Sequence, residues 1–220
     1  MLEACRAARE LGESIGRVVV ASSVLAYGGS DPPWSEDDPL EPVAPYAVSK
    51  AAADLIARSY ALSFELPVAV TRMANVYGGG DLEFSRLVPD VCRALVAGER
   101  PVLRSDGTPV REFLYVGDAV EAYLAVAASL DDDRFAGRAW NVGGGDAVPV
   151  LEVVERLIRA SGRDVKVDVR GAPAEGPDRE ELESSAIRSE LGFAPAWDLD
   201  RGLAATYAWY ESYLAEASAG

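Results

Sequence analysis

Tyr46 and Lys50 stand four residues apart in Pro45-Tyr46-Ala47-Val48-Ser49-Lys50, a spacing that puts both side chains on one face of a helix. A phenol with a reference pKa of about 10 is a poor acid or base at neutral pH, and an ammonium group held beside it favours the phenolate. The two residues therefore have the makings of a proton-transfer unit. The same spacing also suits an aromatic packed on a core and a lysine pointing to water, so the pair alone leaves both readings open. Ser22 and Ser23 close the β-branched run that starts at Arg17. Hydroxyls there either end a strand or lie beyond its carboxyl end, where open α/β sheets bind ligands. Arg86, Arg104 and Arg111 are either solvated surface charges or groups that converge on an anion such as a diphosphate.

Other chemistries are removed by what the sequence lacks. It contains no histidine, which takes away the commonest general base and the commonest metal ligand together. Serine–histidine hydrolysis and zinc-protease chemistry drop out, and no metal site is expected. The two cysteines, Cys5 and Cys92, each fall on an apolar-periodic segment, where a small buried thiol is the usual role. With 21 basic against 36 acidic residues the formal charge is −15, which repels nucleic acid and anionic lipid. An anionic ligand must then be held by local arginines or helix N-termini against the general field. No apolar run approaches the ~20 residues that span a bilayer, and residues 1–15 lack a signal peptide's basic start and apolar centre. The expectation is a cytoplasmic protein with neither nucleic-acid nor membrane partners.

The elements that must position these residues follow from periodicity. Residues 2–11 read as a helix buried along one broad side. Residues 17–23 and 67–73 read as parallel strands covered on both faces. The segment 27–43, rich in glycine, proline and acid residues, reads as a loop, and 44–64 as the helix that carries Tyr46 and Lys50. Residues 74–81 leave the second strand in a glycine run with no Lys-Ser or Lys-Thr after it, so a flexible turn is expected and not a P-loop. Further on, helices are expected at 85–97, 118–130, 150–160, 184–191 and 200–214, the last with an aspartate cap. Strands are expected at 101–103, 110–116, 139–142 and 165–169, and a loop at 171–177.

The order of these parts carries a family resemblance. Ser22-Ser23-Val24-Leu25-Ala26-Tyr27-Gly28, then Tyr46-x-x-x-Lys50, then Met73-Ala74-Asn75-Val76-Tyr77-Gly78 resembles the extended short-chain dehydrogenase/reductases, and more narrowly their NAD-dependent nucleotide-sugar epimerases and dehydratases. Arg86-Leu87-Val88-Pro89, the segment from Arg111 to Asp118, and Asn141-Val142-Gly143 extend the likeness over residues 2–214, with a flavour of the branch that contains CDP-glucose 4,6-dehydratase-like enzymes. The resemblance implies an α/β fold, the carboxyl-terminal part of a Rossmann-like doubly wound parallel sheet plus a smaller α/β substrate lobe. Residues 1–80 and 114–143 would belong to the NAD-binding domain, and 81–113 and 144–217 to a discontinuous nucleotide-sugar lobe.

By the same resemblance, Tyr46 is the acid/base at the sugar C4 hydroxyl, Lys50 holds the nicotinamide ribose and tunes Tyr46, and Ser23 hydrogen-bonds the hydroxyl. Ser22, Tyr46, Lys50, Met73, Asn75 and Val76 contribute to the NAD site, with NADP left open. Ser23, Asn75, Arg86, Leu87, Val88, Arg104 and Arg111 hold the nucleotide-diphosphate sugar. Hydride removal from an alcohol needs simultaneous proton removal, which is why an acid/base accompanies the cofactor. Two departures refine the expectation. The dehydratase branch would carry an acid at the position of Val24 and a polar partner at Leu25, so epimerisation or reduction is favoured over 4,6-dehydration. The Gly-x-x-Gly-x-x-Gly cofactor turn is absent from the sequence, so the chain reads as the last two-thirds of such an enzyme and its first strand as an exposed apolar edge. The alternative reading is a catalytically silent module that binds sugar nucleotide or mediates oligomerisation. A homodimer through the helices at 2–11 and 51–64 is also implied.

Overall fold

A computed structural model describes residues 1–28, 31–173 and 176–219. Gly29, Ser30, Ala174 and Glu175, which fall in the expected loops 27–43 and 171–177, lie outside the described residues. In chain order the elements are α1 (Leu2–Glu10), β1 (Val18–Ser23), a 3-10 turn (Val24–Ala26), α2 (Pro45–Phe64), β2 (Val68–Met73), β3 (Asn75–Tyr77), α3 (Leu87–Val96), β4 (Val102–Ser105), β5 (Val110–Tyr115) and α4 (Val116–Ser129). A 3-10 turn (Asp133–Phe135) follows, then β6 (Ala139–Val142), β7 (Ala147–Pro149), α5 (Val150–Ser161), β8 (Asp168–Ala172), β9 (Arg179–Glu180), α6 (Ser185–Leu191) and α7 (Leu199–Ala219). They divide into two compact units. The first comprises Met1–Ala74, Ala119–Gly143 and Glu181–Ala194; the second comprises Asn75–Asp118, Gly144–Glu180 and Pro195–Gly220.

The first unit is built on a parallel sheet of order β1-β2-β6. Every residue of β2 is buried, as expected for a strand packed on both faces, polar Thr71 and charged Arg72 included. β1 departs from that expectation. It pairs only with β2 among the described residues, Ser23 opposite Met73, and just one of its six residues is buried. An edge strand has no second neighbour to cover it, so its apolar run reflects the sheet it extends. α2 lies on this sheet through Ala47, Ala51, Asp54, Ala57 and Ala61. Four small side chains in that row let the helix backbone come close to the strands. Ala57 and Ala61 join Leu66, Val68, Val70 and Ala139 in the core, with Leu2 and Cys5 of α1 against them. α1 itself has no fully buried residue, in contrast to the broad buried side its pattern suggests.

The second unit holds two sheets. β3 pairs parallel with β5, β5 pairs antiparallel with β7 and parallel with β9, and β4 pairs parallel with β8. Two expectations are corrected here. Residues 75–77, read as a turn leaving β2, form a strand because Asn75 and Tyr77 find ladder partners in Phe113 and Tyr115; this also moves 75–80 and 114–118 into the second unit. The strand read at 165–169 starts at Asp168, where the pairing with Val102 begins. Conversely, 181–194 belongs to the first unit, tied by a bridge between Trp34 and Leu182. Core residues of α3, α5 and α7, including Cys92, Leu95, Leu157, Leu203 and Tyr210, pack into one cluster. The aspartate that caps α7 is Asp198, whose carboxylate accepts the Arg201 N–H at 2.8 Å, while Asp200 pairs with Arg156 at 3.1 Å.

Candidate active site

In the first unit the carboxyl end of β1 turns directly into the 3-10 helix. Ser23 caps it, its Oγ accepting the Leu25 N–H at 3.2 Å and keeping its own proton to donate elsewhere. Val24 is buried at 2% exposure and Leu25 is half-buried, so the two positions after Ser23 present hydrocarbon only. Pro45 opens α2, where its missing N–H costs nothing, and places Tyr46 in the first turn, where the residue is 57% exposed. The Lys50 Nζ lies 5.7 Å from the centre of that ring and donates to the Ala21 carbonyl at 3.2 Å. The Ser22 hydroxyl donates to the Lys50 carbonyl at 3.3 Å. Sequence-predicted Ser22, Ser23, Tyr46 and Lys50 are thus gathered at one strand end, and Met73 ends the neighbouring strand opposite Ser23.

An ammonium group has three donors, and Lys50 commits one of them to Ala21. With an exposed phenol beside it at the carboxyl end of a parallel strand, the set is chemically suited to ribose and sugar hydroxyls. Such hydroxyls belong to the ribose of a dinucleotide such as NAD, so these residue types could hold one.

Behind this set lies a buried polar network that periodicity does not reveal. Arg72 on β2 is 1% exposed and Asp54 on α2 is fully buried. The guanidinium donates through Nε and Nη2 to the two Asp54 oxygens at 2.8 and 3.1 Å, and through Nη1 to the Tyr27 hydroxyl at 2.8 Å. Tyr27 donates to Asn141 Oδ1 at 2.7 Å, and the Asn141 amide donates to the Trp34 and Glu183 carbonyls. Burial works against the Arg72 charge, yet Asp54 and Tyr27 outweigh it and raise its pKa. Burial likewise pushes the Tyr27 phenol up to about 12 despite the Arg72 cation beside it. The Glu36 carboxyl is also raised by burial, although its oxygen accepts the Asn141 N–H at 2.8 Å. A visible signal existed: Asp54 interrupts an otherwise alanine row, and Arg72 interrupts an apolar strand.

In the second unit the expected anion-binding arginines do not form one cluster of like role. Arg111 on β5 is ion-paired through Nε to Glu180 on β9 at 3.0 Å, and its Nη1 donates to the Val110 carbonyl at 2.8 Å. The Asn75 amide donates to the other Glu180 oxygen at 3.0 Å and to the Glu112 carbonyl at 3.2 Å. Glu180 is 4% exposed; burial raises its carboxyl pKa although Asn75 and Arg111 pull the other way. Arg86 is exposed and pairs with Asp81 at 3.0 Å, and Arg104 is exposed on β4. Two of the three arginines therefore sit where surface charges sit, since exposed cations stay solvated. Leu87 and Val88 open α3, whose first N–H groups lack helical partners. A cavity of about 350 Å³ lies beside them, between Val76, the three glycines 78–80, Arg86 and Val116. Two of those glycines are tight for packing reasons: a Cβ on Gly78 would stand 2.3 Å from the Val116 side chain and one on Gly79 2.4 Å from the Trp209 ring, whereas Gly80 has open space around it.

The first unit thus combines a parallel sheet, a helix that carries Tyr-x-x-x-Lys and a serine at the neighbouring strand end. Residues 1–143 match the NAD dependent epimerase/dehydratase family, and the chain belongs to it. It is 41% identical over 181 residues to a dTDP-glucose 4,6-dehydratase from Streptomyces griseus, a match covering 82% of this chain and 54% of that protein. Among solved structures it is similar to the dTDP-glucose 4,6-dehydratase DesIV from Streptomyces venezuelae with NAD bound, at a TM-score of 0.84 and 32% identity, covering 98% of this chain and 64% of that one. A UDP-glucose 4-epimerase from Thermotoga maritima shares the fold at a TM-score of 0.85 and 22% identity, covering 97% and 67%. The chain spans 54% and 62% of the length of two curated relatives. Among the described residues no helix is long and apolar enough to cross a membrane.

Proposed function

We propose that this chain works within an NAD-dependent enzyme that modifies a nucleotide-diphosphate sugar through oxidation at sugar C4. The observation that carries the reading is the placement of Lys50 Nζ 5.7 Å from the Tyr46 ring centre, beside Ser23 at the end of β1. NAD, when bound, supplies the hydride acceptor. Tyr46 Oη takes and returns the proton of the C4 hydroxyl, and Ser23 Oγ holds that hydroxyl in place. Lys50 donates to ribose hydroxyls and supplies positive charge beside the phenol. Ser22 and Met73 of the first unit would line the cofactor, and the resemblance assigns Asn75 and Val76 of the second unit to it as well. Asn75, Arg111 and the first N–H groups of α3 at Leu87 and Val88 hold the diphosphate, for which a guanidinium's planar donors are better shaped than an ammonium, with Arg86 and Arg104 as outer cations. The reaction is epimerisation or reduction. Buried Val24 and half-buried Leu25 carry no group that can shuttle the protons of a 4,6-elimination.

A second reading has its own support. The cluster of Asn75, Arg111 and Glu180 is complete without Tyr46 or Lys50, so a sugar-nucleotide-binding module lacking catalysis is chemically self-consistent. Titration calorimetry of the chain with UDP-, CDP- and dTDP-sugars and with NAD separates the two. Heats with both ligand classes support the enzyme; sugar-nucleotide binding without NAD binding supports the module; binding of neither contradicts both. We further propose a cytoplasmic location and a homodimer through the helices at 2–11 and 51–64; exposed Leu55, Ile56 and Leu62 on α2 support the dimer, and a sedimentation coefficient that does not change with concentration and matches a monomer would remove it.

A further inference from the structure

We propose that Arg72 and Asp54 are positioning residues: a single buried guanidinium sets the register of the Tyr46–Lys50 helix and, through Tyr27, of the turn that begins at Ser23. This rests on the assignment of Tyr46, Lys50 and Ser23 as the proton-transfer set.

The argument starts from what the rest of the contact between α2 and its sheet can specify. The buried row of α2 is Ala47, Ala51, Asp54, Ala57 and Ala61. Methyl groups interlock weakly, so an alanine row packs closely but says little about where along its axis the helix stops. One helical turn is about 5.4 Å, and a far smaller slip would move the Tyr46 phenol off any substrate oxygen. The remaining polar ties near Lys50 are single bonds of 3.2 and 3.3 Å. The Asp54–Arg72 contact is different in kind: two parallel bonds of 2.8 and 3.1 Å between planar groups that water does not reach. Such a fork has one good geometry. Asp54 follows Lys50 by four residues and Tyr46 by eight, so the helix is pinned on the side that carries the catalytic pair.

The third arm of the same guanidinium completes the device. Nη1 donates to the Tyr27 hydroxyl at 2.8 Å and to the Glu36 carbonyl at 3.2 Å. Tyr27 closes the 3-10 turn that Ser23 opens and passes the constraint to Asn141 on β6. Arg72 thus grips α2 with one pair of donors and the end of the serine turn with another, and the separation of the two is fixed by a rigid plane.

The sequence supplies its own probe, because Lys50 and Lys166 are the only lysines. Biosynthetic labelling with ¹³C-lysine gives two side-chain methylene signals next to nitrogen, and K166R assigns them. Replacing both partners, D54L with R72L, removes the fork without leaving a buried charge, an exchange that folded proteins tolerate. The expected result is cooperative unfolding retained, the Lys50 signal displaced, and the Lys166 signal unmoved. R72K keeps the charge but not the fork; it adds a third lysine signal, which K50R in the R72K background assigns, and it should displace the Lys50 signal as well, deciding the matter if the double variant does not fold. A Lys50 signal at its original position in either folded variant overturns the proposal, as does displacement of both lysine signals together, which is what general loosening produces. Neither outcome depends on turnover, so failure here is distinct from failure of the proposed reaction.

Discussion

Glu180 is the residue at which charge, burial and ligand binding meet. Its carboxylate is shared between Arg111 and Asn75, and burial nevertheless raises its pKa above that of an unfolded carboxyl. A carboxyl raised on folding contributes stability that is fully present below its unfolded pKa and is lost as pH rises through the folded value. Glu180→Gln lacks this contribution. The stability of the wild type relative to Glu180→Gln should therefore be greatest in weakly acid solution and shrink towards neutral pH, as read by urea unfolding at both. A difference that grows towards neutral pH would contradict the raised pKa. The sequence makes Arg111 legible as an anion ligand through its place in Arg111-Glu112-Phe113. It does not show that Arg111 already has an internal counter-ion, because the partner lies 69 positions away, by subtraction, on a two-residue strand. Tyr46, Lys50 and Ser23 were legible as candidates only through the order of the motifs that carry the family resemblance, because the Tyr-x-x-x-Lys spacing alone left both readings open. Asp54 and Arg72 showed only as interruptions of apolar rows, and their pairing was not legible, since partners on a helix and the strand after it share no spacing rule.

Elements whose burial is uniform could be read closely, and those defined by pairing could not. β2 and β6 are buried along their whole length, polar Thr71, Arg72 and Asn141 included, and α2 matches its alanine row. β3, with a half-buried, an exposed and a buried residue in turn, carries no pattern, and only its ladder with β5 makes it a strand. β8 is mostly exposed, so β4 decides its start. Close approach between elements is the most sensitive consequence. A Cβ on Gly144 would stand 1.8 Å from the Phe113 carbonyl oxygen, a backbone atom that cannot rotate away. Gly144→Ala must push β5 from the segment entering β7, and it should lower stability by about 1–3 kcal/mol or more, the range for overpacked sites. Thermal unfolding checks this; a variant as stable as the parent would mean the two backbones are not held that close.

Across the whole chain, a formal charge of −15 works against compaction. Ion pairs such as Arg6 with Glu3 and Arg134 with Asp132 are exposed and contribute little, so they do not offset the general repulsion. Salt screens that repulsion over about 10 Å at 0.1 M. The midpoint of thermal unfolding should therefore rise from low to moderate sodium chloride concentration; a fall would indicate that surface pairs dominate. The same field makes a diphosphate ligand depend on a few local groups, which fits the assignment of Arg111, Asn75 and the start of α3 to that role. The central claim concerns proton transfer at the sugar, and the most direct test is Tyr46→Phe in a preparation that turns over nucleotide sugar with NAD. Loss of the phenol should slow turnover by about 10²–10⁴-fold, the usual worth of a positioned acid/base, with sugar-nucleotide affinity by calorimetry left within a few-fold; turnover at the parent rate would contradict the account.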